Sequence, residues 1–70
     1  MKIYLHPELR EILKVYFLTG KEIADKIGIT RDYFYTLCKG VRPIGVKSAK
    51  KLWEILEKKG IGKEDIFKLY

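Results

Sequence analysis

Between Thr30 and Lys39 the chain crowds Thr30, Arg31, Asp32, Tyr35, Thr36 and Lys39 into ten residues. These side chains offer charge, hydrogen-bond donors and hydrogen-bond acceptors. No nucleophile–base pair stands beside them. His6 is the only histidine and has no second catalytic partner, and Cys38 is the only cysteine. No zinc-ligand spacing or phosphate-cradling glycine loop occurs either. The chemistry on offer is recognition, and no enzyme activity, metal, cofactor or small-molecule ligand is expected.

Recognition of what is suggested by charge. The 70 residues carry a net charge of +6. Residues 20–51 hold eight Lys or Arg against three Asp or Glu, while residues 52–70 hold four of each. A positive field gathered mid-chain suits a polyanion, and nucleic acid is the commonest. A basic surface with no partner carries equal weight on charge alone. The longest apolar run, Val15–Leu18, is far too short to span a bilayer, and the opening residues lack a signal-peptide pattern. With one cysteine and no internal disulfide, a cytoplasmic chain without a membrane partner is expected. Asn and Gln are absent, and Lys, Glu and Ile are abundant, a pattern that fits a heat-adapted source.

The elements that must position these residues read as helices. Pro7, with His6 before it, suits the first turn of a helix over Pro7–Leu18 whose face is Leu9, Ile12, Leu13, Tyr16 and Phe17. Thr19 and Glu22 form a capping box for a second helix, with Ile23, Ala24 and Ile27 inward. Gly28 is placed to stop it at positive φ. Thr30 caps a third helix, Arg31–Lys39, with Phe34, Leu37 and Cys38 pointing in. Asp32, Tyr35, Thr36 and Lys39 then lie on the opposite face. Arg42 precedes a proline, which marks a loop. A fourth helix, Val46–Lys59, aligns Val46, Ala49, Leu52, Trp53 and Leu56, and Lys63–Leu69 forms a fifth that docks Ile66 and Phe67. The sum is one all-α domain over residues 1–70.

The spacing inside residues 20–39 has a steric reading. Two helices crossing over a short turn bring backbones together, so only a small side chain fits at Ala24. Gly28 supplies the left-handed turn residue, Ile29 plugs the gap, and Phe34 and Leu37 anchor the third helix from beneath. The segment "KEIADKIGITRDYFYTLCKG" resembles the helix-turn-helix of the Cro and cI repressor family, and "RPIGVKSAKKLWEILEKKGIGKEDI" is similar to the fourth and fifth helices of small Cro-like regulators. The resemblance covers about Leu9 to Ile66.

That resemblance implies a compact five-helix, lambda-repressor-like domain that binds double-stranded DNA, as a homodimer on paired half-sites. It assigns base reading in the major groove to Thr30, Arg31, Asp32, Tyr35 and Thr36. Phosphate contacts fall to Thr19, Lys21, Lys39, Arg42 and Lys47. Asp32 has an equal structural reason to sit where it does, since an acid in the first turn favours the helix dipole. Two departures stand out. Family members often place glutamine or threonine at the position of Gly20, where the side chain meets phosphate, so Thr19 or the bare amide must act instead. Tyr33 and Tyr35 are bulky for a recognition helix, and no Asn or Gln is present to pair with adenine. Val15 and Ile55 fall off their apolar faces. They either pack under the terminal segments or mark a subunit contact near Ile55, Ile66, Phe67, Leu69 and Tyr70. The rival reading is a protein-interaction or antitoxin-like module that keeps the helix pair as scaffold.

Overall fold

The computed structural model describes residues 2–68. Among them lie β1 (Tyr4–Leu5), α1 (Leu9–Val15), α2 (Gly20–Ile27), α3 (Arg31–Cys38), α4 (Val46–Glu57), α5 (Lys63–Ile66) and β2 (Phe67–Lys68). The five expected helices are present, and a two-stranded antiparallel sheet is added to them.

The start and end of α1 and α2 and the start of α3 have local causes. Before α1, the Glu8 N–H donates to His6 Nδ1 at 3.0 Å, so His6 organises the start. α1 ends at Val15 rather than Leu18, because the chain closes a Schellman turn. The Phe17 N–H donates to the Lys14 carbonyl at 3.0 Å and the Leu18 N–H to the Leu13 carbonyl at 2.9 Å. This puts Phe17 at φ 58°, where glycine is usual, with its side chain 91% exposed. Tyr16 and Phe17 therefore leave the buried face predicted for them, and Val15 is exposed as well. The Thr19 hydroxyl accepts from the Glu22 N–H and donates to the Glu22 carboxylate, both at 3.1 Å. The hydroxyl half of the expected capping box is thus made, while the Glu22 carboxylate bonds the Thr19 hydroxyl in place of the Thr19 N–H. Gly28 stops α2 at φ 80°. The Thr30 hydroxyl accepts from the Tyr33 N–H at 3.1 Å and starts α3.

The core gathers the inward faces of all five helices around Phe34, with Leu9, Leu13, Ile23, Ala24, Leu37, Leu52 and Leu56 also buried. Cys38 is buried among them, and Trp53 and Ile55 are half-buried against the same cluster. Val46 does not join it: at 58% exposed it faces solvent, because α4 turns its first residue outward.

The fifth helix is shorter than predicted. It stops at Ile66, and Phe67 turns extended with φ −115° and ψ 147°. The reason is pairing with the other end of the chain. Tyr4 faces Lys68 and Leu5 faces Phe67 in the ladder, and the His6 N–H donates to the Ile66 carbonyl at 2.8 Å. Ile3 bridges Ile44 on the other side. Ile66 and Phe67 are consequently buried, as expected of residues that dock back, and the alternative of an exposed subunit patch fails for them. Leu69 and Tyr70, which shared that expectation, lie outside the described residues.

Candidate nucleic-acid interface

The α2–α3 pair builds the site. Ala24 is fully buried where the two helices pack, which is the close approach its size allows. Gly28 ends α2, and its neighbour's Ile29 N–H donates to the Ala24 carbonyl at 3.0 Å. Phe34 and Leu37 are buried beneath α3, so the opposite face of α3 looks outward.

Lys21, Asp25, Thr30, Arg31 and Asp32 line an open groove of about 330 Å³ between the starts of α2 and α3. The groove thus brings together one expected phosphate ligand, Lys21, and three expected base readers. Its charge is mixed. Asp25 and Asp32 face Lys21 and Arg31, and Arg31 Nε lies 3.6 Å from Asp32 Oδ1. Both partners are exposed and adjacent in the chain, so this pair holds Arg31 only weakly. Thr36 is half-buried, and its hydroxyl donates to the Asp32 carbonyl at 3.0 Å. Its methyl and its lone pairs are left to face outward contacts.

Tyr35 goes elsewhere. Its ring lies against the backbone of Gly20, at the start of α2. A β-carbon at residue 20 would collide with the ring edge and sit 2.9 Å from the hydroxyl oxygen. On its other face, the Arg10 guanidinium carbon stands 4.2 Å from the ring centroid, within cation–π range. Arg10, Lys14, Thr19, Gly20 and Tyr35, with Leu13 and Leu18 behind them, line a second concavity of about 170 Å³. Lys14 is held at its rim by Glu11 at 3.5 Å. Thr19 and Tyr35 are therefore together in this second concavity and do not line the first groove.

Arg10 and Lys14 belong to α1 and were not anticipated as site residues. The signal for them was the coincidence of a glycine at residue 20 with a bulky tyrosine at residue 35. Those two residues form one feature: the ring occupies the space that a side chain at residue 20 would fill. Lys39, Arg42 and Lys47 are exposed after α3, in the following loop and in the first turn of α4, and line neither concavity.

One group near this face has an altered acidity. Burial pushes the Cys38 thiol up to about 11, against a smaller opposing pull from the Arg10 charge. A protonated, buried thiol is a packing group and no nucleophile. Among the described residues, no helix is long and apolar enough to cross a membrane. Comparison of the chain with protein-family models, with curated proteins and with solved structures finds no match.

Proposed function

We propose that this chain is a small double-stranded DNA-binding regulator of the Cro/cI helix-turn-helix kind, acting most simply as a repressor that occupies an operator. The observation that carries this reading is the outward polar face of α3, set over the start of α2 by a buried Ala24 and a left-handed Gly28. Such a helix fits the major groove, where Arg31 can bridge guanine O6 and N7, Asp32 can accept from a cytosine amino group, and the Thr36 methyl can meet thymine. Thr30 stands at the helix start, where base edges are closest. Lys21, Lys39, Arg42 and Lys47 supply phosphate neutralisation around it.

The molecule's longest extent, 29 Å, supports binding as a homodimer. Two copies can sit on half-sites one helical turn, about 34 Å, apart without overlap. The protein-interaction reading draws support from the carboxylates of Asp25 and Asp32 in the groove and from the exposed Val15–Phe17 corner.

A salt titration decides between them. Selection from a random duplex pool, followed by binding across salt, is expected to yield a preferred sequence and a steep fall of affinity with salt. An Arg31→Ala, Thr36→Ala double variant is expected to lose the preference and keep most of the salt slope. A chain that binds no duplex at low salt is an interaction module, and the DNA reading fails.

A further inference from the structure

We infer that Tyr35 is a positioning residue that holds Arg10 as a clamp on a DNA-backbone phosphate, in the space that Gly20 leaves open. The phosphate's belonging to DNA rests on the function proposed above. The site itself rests on separate observations.

Arg10 is exposed, yet it is not free to wander. The Tyr35 ring lies under its guanidinium at 4.2 Å. A cation held over an aromatic ring keeps its N–H donors available for an anion, and a guanidinium fork suits a phosphate. Among the described residues no carboxylate pairs with Arg10, whereas Lys14, the other cation lining this concavity, has Glu11. Lys14 lines the concavity too, with Glu11 as its exposed partner, and no acidic residue is itself among the lining.

Gly20 is the third part. Its backbone forms one wall, and the Tyr35 hydroxyl reaches the same wall. Thr19 cannot stand in with its side chain, because its hydroxyl is committed twice to Glu22. The amides of Gly20 and Lys21 have no acceptor among the described residues, since the cap takes up Glu22 and Ile23 instead. A phosphate held by Arg10 and Lys14 therefore meets backbone donors on its inner side. The work of a side chain at residue 20 has passed to an arginine on another helix, aimed by a tyrosine on a third. Tyr35 then reads no base, and the base-reading set narrows to Thr30, Arg31, Asp32 and Thr36.

The test compares Arg10→Ala, Arg10→Lys, Tyr35→Leu and Tyr35→Phe, each first checked for an unchanged far-ultraviolet circular dichroism spectrum. Arg10→Ala is expected to weaken duplex binding about tenfold, equally on preferred and random sequence, and to reduce the log–log salt slope by about 0.9. Tyr35→Leu should reproduce that loss, Tyr35→Phe should retain wild-type affinity, and Arg10→Lys should recover only part of it. Arg10→Ala with Tyr35→Leu should be no worse than Arg10→Ala alone. Wild-type affinity and slope in Arg10→Ala, or an altered base preference in Tyr35→Leu, overturns the inference. A second arm needs no DNA. Inorganic phosphate, titrated against chloride at equal ionic strength, should shift the Gly20 and Lys21 amide resonances in the wild type and not in Arg10→Ala. No shift in the wild type overturns the site even where duplex binds. A shift in a chain that binds no duplex overturns the DNA reading and keeps the phosphate site.

Discussion

Gly20 opens α2, a position at which replacing glycine with alanine ordinarily gains about 0.5–1 kcal/mol. Here the added methyl meets the Tyr35 ring, so the sign should reverse. Gly20→Ala is expected to lower the urea midpoint of the wild type and to raise that of a Tyr35→Ala background. The same sign in both backgrounds would show that the ring does not rest on Gly20. Cys38 gives a second test at this scale. Its thiol ionises near 11 when folded, against 9.0 for the ordinary thiol. Above pH 9 the unfolded chain releases a proton that the folded chain keeps, so stability falls as pH rises from about 9 towards 11 and then levels. A Cys38→Ala variant should lack that component. Thiol-reagent labelling of the native protein at pH 8 should be slow and follow global opening.

At the scale of elements, two turns of the same hydrogen-bonding kind use different residues. Gly28 closes α2 at φ 80° and Phe17 closes α1 at φ 58°. A side chain in the left-handed region costs about 1 kcal/mol or more. Gly28→Ala should therefore destabilise by about 1 kcal/mol, whereas Phe17→Gly should stabilise by a few tenths to about 1 kcal/mol. Because the Phe17 ring is almost wholly exposed, no core contact is lost with it. A fall in stability in Phe17→Gly would mean the ring packs somewhere in solution. The Thr30 cap is a cleaner case. Thr30→Ala should cost about 1 kcal/mol by freeing the Tyr33 amide, with α3 fraying first in hydrogen exchange.

For the whole molecule, stability depends on joining its two ends. A chain of 70 residues has little core to spare. β1 and β2 are two residues each, and neither holds alone. Their pairing buries Leu5 and Phe67 and seats Ile66 in the core. Phe67→Ala should cost about 3 kcal/mol or more, a large part of the total for so small a domain. Native-state hydrogen exchange should then show the His6 amide, which donates to Ile66, losing its protection together with the core.

Both ends of α2 and the start of α3 were legible because their causes are local. Thr19 with Glu22, Thr30 with Tyr33 and Gly28 act within four residues of one another, and residue type alone fixes such hydrogen bonds. The inward set of α2 and α3 follows from the same short-range geometry. Two things were decided by the tertiary structure, the strand pairing and the seat of Tyr35. The strand pairing joins residues 4–5 to residues 67–68, so no local pattern encodes it, and it cut the fifth helix short. Tyr35 came to rest between α1 and α2, because a glycine on α2 left room for its ring and an arginine on α1 lies over it. Phe17 is different: it left the apolar face for a local reason, a closing turn over residues 13–18 that took precedence over the helical period. Sequence determines what each short segment can form; which side chains from distant segments share a space is settled only when the segments pack, since that depends on volumes and charges brought together across the chain.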